Sequence, residues 1–184
     1  MLRSKLSVIL LLVMLLGANH SCGLRPKSSS QEQSPEAQIK TNLPAPAGLI
    51  NDFANVFDPE AKTRLGALLD ELNRSGNIAF AVVTVETTNG QPIYDYSLAL
   101  AREWKVGSKD GGGLLLMLAI KDRKWWIQVS KGLENDLPDS LCKELGDQSV
   151  DLYKKGRYSD GIEKFVRALI ARLEQTRSFR LPRS

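Results

Sequence analysis

Two stretches of the chain are apolar almost without interruption, and turn-forming residues bound both of them. Residues 114–120 read LLLMLAI after a glycine run, and residues 78–85 read IAFAVVTV shortly after Ser75-Gly76. Such runs are typical of strands that are buried on both faces, as the central strands of an α/β sheet are. A third apolar stretch, residues 125–129, follows a polar turn. We therefore predict strands at all three places.

Helical spacing of apolar residues predicts the elements between and after these strands. Asp58-Pro59 is a typical helix start, with Asp58 as the N-cap and Pro59 in the first helical position. The leucines that share one face of this helix are Leu65, Leu68, Leu69 and Leu72. The other predicted helices are Gly90 to Trp104, Pro138 to about Tyr153, and Tyr158 to about Gln175. This order predicts an α/β fold, a three-layer α/β/α sandwich with a small mixed sheet.

The first residues of the chain have the pattern of an export signal. Arg3 and Lys5 precede an apolar run from Leu6 to Leu16, and Gly17-Ala18 follow it. A basic start, about a dozen apolar residues and small residues after them indicate a secretory signal peptide. The run is shorter than a membrane span, which needs about 20 residues. We predict a signal peptide over residues 1–22, and therefore an exported protein of the periplasm or cell envelope.

Two interpretations of the end of this leader stay open. In bacterial lipoprotein signals, cleavage precedes a cysteine that then receives lipid. Here Asn19-His20-Ser21 precede Cys22, and only Ser21 suits the usual pattern. Lipidation of Cys22 would attach the protein to a membrane through its N-terminus. The alternative is plain secretion, with cleavage after Ala18 or Gly23.

Composition divides the remaining chain into three parts. Residues 23–47 are rich in Ser, Gln and Pro, which predicts a disordered linker before a folded domain at 48–175 and a basic flexible tail at 176–184. Seven of the 25 Lys and Arg residues lie in 1–27 and 176–184, which contain no acid, so the remainder has 18 basic against 21 acidic residues. Its net charge is therefore −3. A nucleic-acid surface needs a basic patch on the domain, so no nucleic-acid partner is expected.

The residue types available for catalysis are few. The single histidine, His20, lies in the predicted leader. A mature chain would therefore lack Ser-His-Asp and Cys-His nucleophile pairs and histidine zinc sites. Cys142 lies in a predicted helix, where a buried structural thiol is expected. We predict no catalytic residue. Any phosphatase would have to work through carboxylates and a hard cation such as Ca²⁺ or Mg²⁺.

Five short motifs follow one another over most of the predicted mature chain. They are Ile50-Asn51-Asp52-Phe53-Ala54, Trp104-Lys105-Val106-Gly107, Lys109-Asp110-Gly111-Gly112-Gly113-Leu114-Leu115, Ile127-Gln128-Val129-Ser130-Lys131-Gly132-Leu133-Glu134 and Tyr158-Ser159-Asp160-Gly161-Ile162. In this order and spacing they resemble the TPM-domain family. That family includes thylakoid-lumen proteins linked to photosystem II repair and bacterial envelope proteins of the YgcG type. The chain departs from the family pattern at Gly111, Gly113 and Ser130, where Asn, an apolar residue and glycine are usual.

The resemblance implies a carboxylate site. Asp52, Asp110 and Glu134 would come together near the strand ends and could bind Ca²⁺ or Mg²⁺, with Asp95 and Asp139 as outer candidates. The alternative is structural: Asp52 and Glu134 would cap turn or helix amides, and Asp110 would be a solvated turn residue.

Two functions follow from the resemblance. The first is a non-catalytic binding or maintenance module that serves another envelope or membrane protein. The alternative is a metal-dependent acid phosphatase, an activity ascribed to some plant members of the family. We favour the first, because the chain has no recognisable nucleophile motif and its hallmark turn lacks the Asn. Trp125 and Trp126 face opposite sides of a strand, so we expect one beneath a helix and the other half exposed. An exposed Trp could anchor a partner, but we favour the alternative, ordinary packing against a helix.

Overall fold

A computed structural model describes residue 43 and residues 45–107 and 111–182. Within this part the chain forms four strands and five helices, which confirms the α/β class. In chain order these elements are β1 (Ile50–Asp52), α1 (Pro59–Gly76), β2 (Ile78–Val85), α2 (Ile93–Glu103), β3 (Gly112–Ala119), β4 (Lys124–Val129), α3 (Asp139–Asp147), α4 (Val150–Lys154) and α5 (Tyr158–Thr176). None of the helices in this part is long and apolar enough to span a bilayer.

The four strands form one mixed sheet in the order β1-β2-β3-β4. The first three strands are parallel, and β4 runs antiparallel to β3. Asp52 lies opposite Thr84, which in turn lies opposite Leu118, so β1, β2 and β3 finish together at what we call the carboxyl end of the sheet. Ile78 and Gly112 mark the opposite, amino end. Two parallel βαβ units therefore lead into an antiparallel hairpin.

The two faces of the sheet carry separate cores, which gives the predicted three layers. Helices α1, α3 and α5 pack on one face, over alternate strand residues such as Phe80, Leu116 and Ile127. Helix α2 covers the other face through Tyr96 and Leu100. Every residue of β3 is buried, because that strand has helices on both sides.

The positions of α1 and α2 give the two parallel connections opposite handedness. Strands β1, β2 and β3 lie side by side in chain order, so each of the two connections moves the chain one strand further in the same direction across the sheet. The connecting helices nevertheless lie on opposite faces. One of the two connections is therefore left-handed, which is rare among parallel crossovers.

The helix start predicted at Asp58 is confirmed. The Asp58 carboxylate accepts hydrogen bonds from the backbone N–H groups of Glu60 at 2.9 Å and Ala61 at 3.0 Å, and Pro59 follows it as the first helical residue. At the other end of α1, Asn77 adopts a left-handed conformation with φ 52°. Its N–H donates to the Asn73 carbonyl, which closes the last turn before β2 begins.

Two details differ from the predicted order of elements. Strand β1 was not predicted, because it has only three residues and two of them are the polar Asn51 and Asp52. The helix predicted from Pro138 to about Tyr153 is divided into α3 and α4. The division lies at Gln148 and Ser149, where the Ser149 N–H donates to the Gly146 carbonyl rather than continuing the α-helical pattern.

The folded region extends beyond the predicted boundary at residue 175. Helix α5 ends at Thr176, but the partly buried Phe179 and Leu181 pack against the core on the α1–α3–α5 face of the sheet. Arg177 forms an ion pair with Asp136 at 2.7 Å. The first half of the predicted tail thus contributes apolar and ionic contacts to the domain.

Two glycines are required by aromatic rings that lie against their helices. A Cβ at Gly146 in α3 would overlap the ring of Trp125, and a Cβ at Gly161 in α5 would overlap the ring of Tyr153. Trp125 also meets Phe165 edge-to-face, with 5.2 Å between ring centroids. These rings can approach the helices closely because glycine has no side chain.

We expect Gly146→Ala to lower the free energy of unfolding by about 1–3 kcal/mol, because the added methyl group overpacks the Trp125 site. The matched control is Gly66→Ala in α1, where a Cβ has no neighbour within 4 Å. That change should raise the free energy of unfolding by about 0.5–1 kcal/mol through helix propensity. Urea unfolding of both variants measures the difference. Equal effects would show that Trp125 does not occupy the space beside Gly146.

Candidate functional site

Asp52 serves as a capping residue at the carboxyl end of the sheet. Its carboxylate accepts backbone hydrogen bonds from Val56 at 3.1 Å and Phe57 at 2.9 Å, and a side-chain hydrogen bond from Thr84. These bonds hold the turn between β1 and α1 against β2. Asp52 thus has the amide-capping role given above as the alternative to metal binding.

Glu134 lies at the other end of the sheet. It is exposed in the turn that follows β4, and the neighbouring Leu133 packs where a side chain at Gly112 would be. Asp52 lies level with Leu118, so six residues of β3 separate the two positions. At about 3.3 Å per residue this is about 20 Å.

Asp52 and Glu134 therefore do not come together, contrary to the expectation from the family resemblance. A Ca²⁺ ion binds its ligands at about 2.3–2.6 Å, so residues at opposite ends of a strand cannot share one. Asp110 lies outside the described residues. Asp95 in α2 and Asp139 in α3 lie in helices that cover opposite faces of the sheet. Within residues 43–182, omitting the undescribed positions, no group of three His, Cys, Asp or Glu side chains could hold a metal ion. Cation binding near Asp110 and Glu134 stays a prediction.

Strand β4 offers a different kind of site, because it is the last strand of the sheet and borders only β3 among the described elements. The Ser130 N–H donates to the Gly113 carbonyl at 2.9 Å. In an antiparallel ladder, hydrogen-bonded and non-hydrogen-bonded pairs alternate. Gln128, Trp126 and Lys124 thus bond to β3, as Ser130 does. The residues between them, Trp125, Ile127 and Val129, direct their N–H and C=O groups away from the sheet.

A groove of about 420 Å³, which we call the edge groove, runs beside this strand. Its lining comes from β4 and α3: Trp125, Trp126, Ile127, Asp139, Ser140, Cys142, Lys143 and Asp147. Cys142 is buried, and burial raises the pKa of its thiol to about 11. It therefore stays a protonated thiol near neutral pH, which supports its predicted structural role.

The two tryptophans of β4 pack on opposite faces of the sheet. Trp125 lies against Phe165 and the α3–α5 layer, whereas Trp126 meets Tyr94 of α2 edge-to-face with ring centroids 5.3 Å apart. Both are half-buried, so neither is fully covered by a helix. Tyr94 itself is among the most exposed large apolar side chains of the described residues, at 47%. The edge strand is thus flanked by aromatic surface on both faces.

The family profile described as the TPM domain matches residues 50–172. The chain belongs to the TPM-domain family. Comparison with curated proteins gives no match.

Solved structures of bacterial proteins share this TPM domain's architecture. The N-terminal domain of a protein from P. gingivalis is 27% identical, with a TM-score of 0.65, over 74% of this chain and 88% of that one. The N-terminal domain of the cg2496 protein from Corynebacterium glutamicum is 14% identical, with a TM-score of 0.52, over 70% and 86%. The BA42 protein from Bizionia argentinensis is 20% identical, with a TM-score of 0.51, over 63% and 83%. The last two show likeness of fold alone.

The departures from the TPM pattern at Gly113 and Ser130 are structurally linked. The Gly113 N–H donates to the Ser130 hydroxyl at 2.9 Å, a bond that the usual glycine could not make. A Cβ at Gly113 would overlap the Val106 carbonyl, and Gly107 has a φ of 96° where the two backbones meet. The amino end of β3 therefore closes by backbone contact with the segment that follows α2.

Sequence reasoning missed the edge groove, although a signal for it was present. After residues 125–129 the chain contains only helical patterns, so no later strand was available to cover that edge. What the pattern could not indicate was the strand order, which decides whether β4 lies inside the sheet or at its border.

We expect Asp52→Ala to lower the free energy of unfolding by about 1–3 kcal/mol, because it leaves three partly buried donors without their acceptor. Glu134→Ala, at an exposed turn position, should change it by less than about 0.5 kcal/mol. Thermal unfolding of both variants, with and without Ca²⁺ or Mg²⁺, tests this. If Asp52→Ala costs nothing in metal-free buffer but removes a metal-dependent rise in stability, Asp52 is a ligand and not a cap.

Proposed function

We propose that this chain is an exported TPM-domain protein of the periplasm or cell envelope, acting as a non-catalytic binding or maintenance module for another envelope protein. The observation that carries the proposal is the outer edge of β4, which no strand of the described residues pairs with, beside the edge groove. Outward N–H and C=O groups at Trp125, Ile127 and Val129 can pair with an added strand from a partner. Main-chain pairing supplies affinity, and the groove between β4 and α3 receives alternate side chains of that strand.

Membrane attachment forms a second element of the proposal. If Cys22 is lipidated, the Ser- and Pro-containing residues 23–47 serve as a spacer between the membrane and the domain. Binding would then be restricted to partners within reach of the membrane surface.

The phosphatase alternative has less support. It requires several carboxylates around one cation, and Asp52 is instead engaged with Val56, Phe57 and Thr84. The edge groove contains Asp139 and Asp147, but Asp147 is paired with Lys143. The thiol of Cys142 is held in its unreactive form.

We expect a photoreactive residue at Val129 to cross-link a discrete partner in cells, whereas the same residue at the exposed Lys62 of α1 should not. The identified partner is then tested for binding to purified Val129→Pro and Val129→Thr. Proline removes the outward N–H and should weaken binding about tenfold or more, whereas threonine keeps the N–H and the branched side chain. Thermal unfolding checks that both variants are folded. Equal binding by the two variants would contradict strand addition at β4.

We also expect no hydrolysis of p-nitrophenyl phosphate above the buffer rate, with or without Ca²⁺ or Mg²⁺. The controls are EDTA and Asp110→Asn. Turnover that requires the cation and is lost in the Asp110→Asn variant would favour the metal-dependent phosphatase instead. A metal-dependent rise in melting temperature without turnover would support a structural cation site near Asp110.

A further inference from the structure

A second groove, of about 570 Å³, opens at the carboxyl end of the sheet. We call it the basic groove. It lies between the β3–β4 turn and the α4–α5 region and is lined by Leu118, Ala119, Ile120, Arg123, Lys124, Trp125, Val150, Tyr153, Lys154, Gly156 and Tyr158. This volume is within the range of about 300–1,000 Å³ that is usual for binding pockets.

The charged side chains that line the basic groove are all basic. Arg123, Lys124 and Lys154 line it, and none of its lining residues is acidic. Among the described residues, neither Arg123 nor Lys124 has a carboxylate within ion-pair distance, and Lys154 has only the exposed Asp151 at 3.6 Å. The nearby Asp122 accepts hydrogen bonds from Thr88 and Thr87, which lower its pKa together with the charge of Lys124, so this carboxylate is ionised and offsets part of the positive charge. Three basic side chains thus line the groove against two neighbouring carboxylates, so its lining is net basic in a domain that is acidic overall.

The floor of the basic groove is apolar and aromatic. Tyr153 and Tyr158 stack with an interplanar angle of 16° and 6.1 Å between ring centroids. Gly156, with a φ of 72°, turns the chain between α4 and α5 without placing a side chain over the opening. An occupant therefore needs an apolar body for the floor and a negative charge for the rim.

Trp125 lines both the basic groove and the edge groove, so the two meet at its side chain. Strand β4 begins at Lys124, next to the basic groove, and runs toward Val129. A strand added antiparallel to β4, the commoner arrangement, would therefore finish beside Arg123 and Lys124. Its carboxyl-terminal side would lie among the three cations.

We propose that the partner's segment is an extended peptide whose carboxyl-terminal end carries acidic residues next to an apolar or aromatic side chain. The acids pair with Arg123, Lys124 and Lys154, and the apolar side chain lies on Trp125 and the tyrosines. This inference rests on the proposed strand addition at β4 and specifies which segment is recognised. Charge complementarity of this kind selects the partner and speeds association.

The test is selection of short random peptides with free carboxyl ends on the purified protein. Asp and Glu should be enriched toward the carboxyl end, beside an apolar or aromatic residue. A selected peptide should bind Arg123→Gln/Lys124→Gln about tenfold more weakly, and its affinity for the unchanged protein should fall as salt is raised. The matched control, Lys62→Gln/Lys131→Gln, removes two exposed cations outside the groove and should bind as the unchanged protein does.

Each outcome separates this inference from the proposed function. If the selected peptides show no acidic enrichment and do not bind Val129→Pro, strand addition is supported and the acidic specificity is overturned. Acidic peptides that bind both double variants equally would also overturn it. Acidic peptides that survive Val129→Pro but not Arg123→Gln/Lys124→Gln would support the basic groove and contradict strand addition. Absence of any peptide above background would overturn both.

Discussion

The burial of β3 on both faces is the constraint on which the rest of the fold depends. All eight residues from Gly112 to Ala119 are buried, and no polar side chain interrupts them. A strand of this kind is stable only where helices exclude water from each face. Placing α2 on one face and α1, α3 and α5 on the other meets this requirement. It also accounts for the opposite handedness of the two parallel connections.

Strand β4 is covered on its two faces but not on its outer edge. One edge pairs with β3 and the two tryptophans contact helices on opposite faces, but no described strand follows β4 in the sheet. Exposed edges invite pairing with other chains, and proteins usually protect them with charged residues or by keeping them short. Here Lys124 marks one end of a six-residue edge. The edge is therefore short, and one of its ends carries a charged side chain.

Three carboxylates of this domain fix turns and a helix start next to the sheet. Asp52 binds the turn after β1 to Thr84, Asp122 joins the β3–β4 turn to Thr87 and Thr88, and Asp58 caps α1. Each accepts hydrogen bonds from amides or hydroxyls that would otherwise be unsatisfied. Asp122 thereby holds the β3–β4 turn, which borders the basic groove, against the segment that follows β2.

The sequence alone determined the local elements. Uninterrupted apolar runs identified β2 and β3, and the Asp58-Pro59 pair placed the start of α1, because period and capping are properties of neighbouring residues. It also indicated the family, through motifs in order. Strand β1 was not predicted because it is short and polar, and the bond that Thr84 donates to Asp52 joins residues far apart in the chain. Register and strand order were decided by tertiary structure alone. Register places Asp52 and Glu134 level with opposite ends of β3, and strand order leaves β4 at the border of the sheet. Both register and strand order depend on long-range packing against the two helical layers.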